Sequence, residues 1–276
     1  MNLHTCLIVG KNGKTGRRVN TLITEAGYVT RAVSLSSVPS FDWQNPAGWL
    51  EVMQGCQSAY VCFQPDLAVP DAQQAIAEFI RQAKLARISH IVLLSGRGEE
   101  GAQSAEQLLI NSGLSWNVVR ASWFAQNFSE GFLIEGILNG HVALPAGDVL
   151  EPFVDVDDIA EVAVACLTKP HLKNQIFEVT GPELLTFRDC VEILSQVTGK
   201  VINFTSISVD QFLQVLRQKN MPQEVLWLMK ELFTVVLDGR NSHVTNGVEA
   251  VLGRLPTSFQ EYAVKAKNTG AWNSMD

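Results

Sequence analysis

Residues 6–18 read Cys6-Leu7-Ile8-Val9-Gly10-Lys11-Asn12-Gly13-Lys14-Thr15-Gly16-Arg17-Arg18. An apolar run of strand length ends at Gly10, and glycine recurs at every third position to Gly16. Glycines so placed permit a tight turn, close approach of backbone amides to an anion, and a helix packed hard on the preceding strand. The helix N-terminus then turns its amides and the positive end of its dipole toward a phosphate. Lys11, Lys14, Arg17 and Arg18 add four cations, expected to meet one small anion. Three owners of the loop compete. Gly13-Lys14-Thr15 ends like a P-loop, but that loop needs a glycine where Ile8 stands, which argues against an NTPase. A dinucleotide-binding turn fits, with its first glycine gap one residue wider than usual. A glycine-rich turn that binds nothing is the third.

Composition narrows the classes. The 276 residues suit one large α/β domain, or a nucleotide domain with a smaller lobe. A chain that is 46% hydrophobic and 18% charged builds an ordinary globular core. A net charge of -7 argues against a nucleic-acid partner, since no basic stripe exists to meet phosphates. Cys6, Cys56, Cys62, Cys166 and Cys190 form no C-x-x-C pair and read as buried thiols of a reducing compartment. The five histidines have no ligand spacing, so no metal is expected. No apolar stretch reaches the ~18 residues of a membrane span, and no signal segment precedes the first strand. A cytoplasmic protein with a small-molecule partner is the expectation. Its oligomeric state is not written in the sequence.

Strand-length apolar runs alternate with helical patterns along the first half. Strands are expected at 3–9, 28–34, 58–63, 90–94, 116–120, 153–156 and 176–180. Helices are expected from the glycine loop to about Ala26, near 47–54, then at 72–86, 104–111, 128–139, 159–167 and 187–198, with 209–237 helix-rich. Such alternation predicts an α/β fold, a doubly wound parallel sheet with right-handed crossovers. Ligands then lie beyond the C-terminal strand ends, at 10–16, 34–37, 63–66, 95–97 and 121–127. The expected division is a dinucleotide-binding domain of residues 1–127 plus 151–182. A smaller, mostly helical substrate-side lobe comprises 128–150 plus 183–276.

Further motifs follow in order. Gly10-x-x-Gly13-x-x-Gly16 leads to His90-Ile91-Val92-Leu93-Leu94-Ser95, Glu106-x-x-Leu109 and Arg120-Ala121-Ser122-Trp123-Phe124-x-x-Asn127. Val154-Asp155-Val156-Asp157-Asp158-Ile159-Ala160 and Thr180-Gly181-Pro182-Glu183 come after them. The series resembles the NmrA-like branch of the atypical short-chain dehydrogenase/reductases. The Gly13-Lys14-Thr15 loop, Phe41-Asp42-Trp43 and Trp123-Phe124-Ala125-Gln126-Asn127-Phe128 look most like its festuclavine/agroclavine dehydrogenase-like group. The resemblance runs from residue 3 to about 262. It implies a Rossmann-like fold and binding of NADP, with NAD possible.

Candidate cofactor residues are Gly10, Lys11, Asn12, Gly13, Lys14, Thr15 and Gly16 in the loop and Ser34 after the second strand. Asp42 at the adenine edge, Phe63, Gln64 and Pro65 after the third strand, and Ser95 and Gly96 after the fourth complete the set. Trp123, Phe124 and Asn127 are candidate substrate residues; core packing and helix capping are their competing roles. Asp155 and Asp157 read as structural. No Asp or Glu lies between Tyr28 and Ser40, which disfavours strict NAD use. The group's usual arginine is replaced by Leu35, so Lys11 or Lys14 is expected to reach a 2′-phosphate. Tyr28, Tyr60 and Tyr262 are followed four residues on by Ala32, Gln64 and Ala266, so no Tyr-x-x-x-Lys pair exists. Glu99 and Gln103 stand where that pair is expected, and no catalytic residue is assigned. Reduction of an iminium, enone or quinone survives this loss, whereas alcohol dehydrogenation does not. The alternative is a redox sensor that binds the dinucleotide without turnover.

Overall fold

The computed structural model describes residues 4–273, and every apolar run read as a strand before residue 122 forms one. In chain order come β1 (Thr5–Val9), α1 (Lys14–Glu25), β2 (Val29–Val33), α2 (Trp49–Met53), β3 (Ser58–Val61), α3 (Ala72–Leu85), β4 (His90–Gly96), α4 (Glu100–Ile110) and β5 (Ser115–Ala121). After them come α5 (Ile134–Leu138), β6 (His141–Leu144), α6 (Val156–Thr168), β7 (Gln175–Val179), α7 (Phe187–Thr198) and β8 (Asn203–Ser206). The last four helices are α8 (Val209–Gln218), α9 (Gln223–Glu231), α10 (Gly247–Leu252) and α11 (Phe259–Asn268). The chain divides into two compact units. One comprises Met1–Ala121, Asp157–Glu178 and Gly247–Arg254; the other comprises Ser122–Val156, Val179–Asn246 and Leu255–Asp276.

The first unit is built on a six-stranded sheet of order β2-β1-β3-β4-β5-β7. Its pairings from β2 through β5 are all parallel, with Cys6 level with both Thr30 and Ser58. Leu7 and Val9 point to one face and Cys6 and Ile8 to the other, and all four are at most 1% exposed. Burial on both faces is the reason this run lacks polar alternation. Leu7, Val9, Ala59, Val61, Ile91 and Leu93 form one core with Ile76, Phe79, Ile80 and Ala83 of α3 and Ala105 and Leu109 of α4. Those α3 residues recur at three- and four-residue spacing, so they share the helix face that meets the sheet. Each large side chain buried there contributes roughly 1.5–3 kcal/mol.

The second unit holds a parallel pair, β6 with β8. Its core is aromatic: Phe187 lies 4.9 Å from Phe153 and Phe128 lies 5.1 Å from Phe259, both edge-on. Three helices start with a reciprocal cap, Thr186 with Asp189, Ser208 with Gln211 and Ser258 with Glu261. Two expectations are corrected here. Residues 153–156 are no strand, because Val154 makes only a one-residue bridge to Phe124 before α6 begins at Val156. Residues 128–139 are not one helix: a 3₁₀ turn, Ala125–Phe128, is separated from the five-residue α5 by a stretch containing Gly131. In the first unit α4 begins at Glu100, earlier than the expected 104. The four-residue strands β6 and β8 and the helices α10 and α11 were not foreseen.

Candidate functional site

The glycine loop joins β1 to α1 with a separate demand on each glycine. Gly10 has φ +87, a left-handed conformation that a side chain would strain. Its N–H and that of Lys11 donate to Val33 O at 3.0 and 3.1 Å, tying the loop to the end of β2. A Cβ on Gly13 would lie 3.2 Å from Gly10 O and 3.5 Å from Gln64 Nε2, so the side chain would occupy the cradle itself. A Cβ on Gly16 would meet Gly10 O at 2.1 Å, which makes this position the contact of helix on strand end. Gly13 caps α1 without a side-chain acceptor, and the first turn holds no acid. A 12-residue helix therefore presents its positive end without an anionic side chain of its own. The uncapped turn and side-chain-free cradle fit a diphosphate.

The loop's four cations do not act alike. The Arg18 guanidinium donates to Asp157 Oδ1 at 2.5 Å and to Lys14 O at 2.9 Å, so it fastens α1 to the start of α6 rather than serving the anion. Asp157 has the structural part expected of it. Arg31 donates to Val52 O and Gln54 O at the end of α2 and is likewise committed. Thr15 is buried beneath the loop beside Tyr60 and Cys62. Burial pushes the Cys62 thiol up to about 11, so a neutral floor underlies the turn.

At the end of β2, the Asn12 carboxamide donates to Ser34 Oγ at 3.1 Å and Ser36 Oγ at 2.9 Å. Ser37 Oγ accepts the Ser34 N–H at 2.9 Å. Leu35, in place of the group's arginine, is 70% exposed. The Asp42 carboxylate accepts the Gln44 N–H at 2.9 Å, and its carbonyl accepts the Trp49 indole N–H at 2.8 Å. The half-buried Trp43 lies across Phe63, ring centres 4.8 Å apart, in a cluster with Phe41, Trp49 and Phe79. Gln64 and Pro65 stand exposed at the end of β3. Loop, serines, Asp42 and the 63–65 segment thus gather at one edge of the first unit.

Ser95 and Gly96 are engaged internally. Ser95 is 5% exposed and its hydroxyl donates to Glu106 Oε1 at 2.5 Å. A Cβ on Gly96 would run into the Glu99 carboxyl. Arg120 binds the fully buried Glu106 through Nε and Nη2, at 3.1 and 2.5 Å, and reaches Glu178 at 2.8 Å through Nη1. Arg120 thereby offsets the desolvation of the buried Glu106, while Glu178 keeps part of its surface in solvent. Asp66 accepts the Ala68 N–H at 2.8 Å and shares a hydrogen bond with Glu99; burial raises its carboxyl pKa. Sequence reading assigned neither group a role. Glu106 and Arg120 are 14 residues apart, and only the β4–β5 register with α4 laid over it brings them together.

In the second unit Trp123 is 9% exposed, 5.2 Å from Phe187 and 5.3 Å from Phe233, so its ring packs the core. Phe124, which precedes the 3₁₀ turn, and Asn127, within it, keep partly exposed surfaces. Asp155 accepts the Gln126 amide at 2.6 Å, fixing the chain before α6 as a structural residue. No helix among the described residues is long and apolar enough to cross a membrane, and none of their His, Cys, Asp and Glu side chains group as a metal site.

These elements define a protein of the Rossmann-like α/β class. The chain belongs to the NmrA-like family, whose model matches residues 104–263. It is 30% identical to an agroclavine dehydrogenase of Claviceps fusiformis, over 96% of this chain and 98% of that protein. It is 29% identical to an NAD(P)H azoreductase of Xenophilus azovorans, over 93% of this chain and 96% of that one. Its fold superimposes on the NADPH complex of an NADPH-dependent quinone oxidoreductase of Escherichia coli with a TM-score of 0.80. That match has 16% identity and covers 96% of this chain and 100% of the other.

Proposed function

We propose that this protein is an NADPH-using reductase that delivers hydride to a small electrophilic substrate, an iminium, an enone or a quinone. The observation that carries this reading is the glycine loop: an uncapped α1, and a cradle that a Cβ at Gly13 would fill. Lys11, Asn12, Lys14 and Thr15 line that loop, with Ser34, Asp42 and Phe63-Gln64-Pro65 at the same edge, and we assign them to the cofactor. Ser95 and Gly96 are assigned to it as well, and Trp123, Phe124 and Asn127 to the substrate. The names of the relatives support an oxidoreductase, since they include an agroclavine dehydrogenase and an NAD(P)H azoreductase.

A bound reduced nicotinamide would supply the hydride. The work left to the chain is to bind, to orient and to exclude side reactions. An iminium becomes a neutral amine when hydride arrives and needs no proton, whereas an enone or quinone leaves an enolate or phenolate that takes its proton from water or a remote group. Either course matches a sequence without Tyr-x-x-x-Lys. The test is titration with NADPH and NADH, followed by NADPH oxidation against a panel of cyclic iminium, enone and quinone acceptors. NADPH consumption with at least one acceptor is expected. Tight binding without consumption by any acceptor would replace this reading with that of a regulatory dinucleotide sensor.

A further inference from the structure

We propose that Asn12 is a positioning residue that makes the corner after β2 a hydrogen-bond donor, so that it prefers NADPH without rejecting NADH. The inference rests on the cofactor reading above and deepens it. A primary carboxamide has two N–H groups, and Asn12 directs them at the Ser34 and Ser36 hydroxyl oxygens, 3.1 and 2.9 Å away. Each serine oxygen thereby already accepts one hydrogen bond, which biases the pair toward donating to a ligand. The two hydroxyls are also hydrogen-bonded to each other at 3.3 Å, either one donating, so the pair keeps one O–H to offer a ligand group. The Ser34 backbone is held in turn by Ser37 Oγ, and the loop carrying Asn12 is tied to Val33 O. The corner is therefore held in position and biased toward donation.

A donor corner suits a 2′-phosphate, which only accepts, and tolerates a 2′-hydroxyl, which accepts as well as donates. No carboxylate lies between residues 28 and 41 to repel the phosphate. No arginine adds a charge-assisted bond either, since Leu35 holds that place and Arg31 is spent on α2. Hydroxyls that donate to an ionised phosphate rather than to a neutral 2′-hydroxyl give a preference of roughly tenfold for NADPH over NADH.

The decisive variant is Asn12→Asp, equal in shape but reversed in polarity. Its carboxylate would draw both serine protons inward, turning the corner into a negatively charged acceptor. Dissociation constants for NADPH and NADH, measured by fluorescence titration on wild type and variant, give the affinity ratio. The ratio should swing at least tenfold toward NADH, with the melting temperature unchanged because Asn12 is exposed. Ser36→Ala provides a second arm, in which NADPH affinity should fall several-fold while NADH affinity holds. A ratio within about twofold of wild type in both variants would overturn this inference and leave the cofactor reading standing. Failure of the wild type to bind either dinucleotide would overturn both.

Discussion

Replacing Gly16 with alanine separates packing from propensity with a clear sign. In a helix interior alanine is favoured over glycine by about 1 kcal/mol, so an unhindered site would be stabilised. Here the new methyl would stand 2.1 Å from Gly10 O and 2.7 Å from Gly10 C. Both are backbone atoms, held where the Gly10 N–H meets Val33 O, so neither can swing aside as a side chain would. Overpacking of this kind costs roughly 1–3 kcal/mol, and a rigid backbone contact belongs at the upper end. The net loss is then about 2 kcal/mol, or roughly 4–8 °C in melting temperature for a chain of this size. Differential scanning fluorimetry of Gly16→Ala beside Gly13→Ala provides the assay. Gly13 has φ -73 and ψ 166, open to any residue, and its Cβ would approach Gly10 O only to 3.2 Å. Gly13→Ala should therefore cost less than about 1 kcal/mol of helix capping and still weaken dinucleotide binding at least tenfold. An unchanged or raised melting temperature for Gly16→Ala would refute the packing of α1 on Gly10.

Two further perturbations probe buried polar groups of the first unit. Arg120→Met should destabilise by about 3–5 kcal/mol in urea denaturation by stranding Glu106, whereas adding Glu106→Leu should recover much of the loss; equal stability of single and double variants would exclude the pairing. His90 donates from Nε2 to Cys166 O and accepts at Nδ1 from Ser115 Oγ, each at 3.1 Å, so the fold holds the ring neutral. Burial above all, then the charge of Lys173, lowers its pKa from 6.5 to about 4. The unfolded chain takes up this proton first, so stability is complete above pH 6.5 and falls as pH drops toward 4. The loss amounts to about 3 kcal/mol. His90→Gln should remove that part of the pH dependence of unfolding; a variant with the wild-type slope would refute it.

Much of this molecule was legible as sequence because the signals are local. An apolar run ending in Gly10 specifies a buried strand and its turn, and the spacing of Ile76, Phe79, Ile80 and Ala83 specifies a helix face. Each is decided by neighbours within a few residues. Four-residue strands such as β6 and β8 give too short a pattern, and α5 is broken by residues that favour turns. The roles of individual polar groups were less legible still. Arg18 looked like a ligand for an anion until α6 placed Asp157 beside it, 139 residues along the chain. Nor does the sequence show that the ring of Trp123 packs between Phe187 and Phe233, residues 64 and 110 positions further along the chain.

By itself the sequence determined the parallel α/β class, the glycine turn and the absence of a Tyr-x-x-x-Lys pair, since these depend on residue type and short spacing. Only the tertiary structure decided that Arg18 pairs with Asp157, that Ser95 is turned to Glu106, and that Asn12 donates to Ser34 and Ser36. A hydrogen bond acts over about 3 Å and discriminates by direction. Its partner is chosen by the strand register and helix packing that bring remote segments together, and no local pattern encodes that choice.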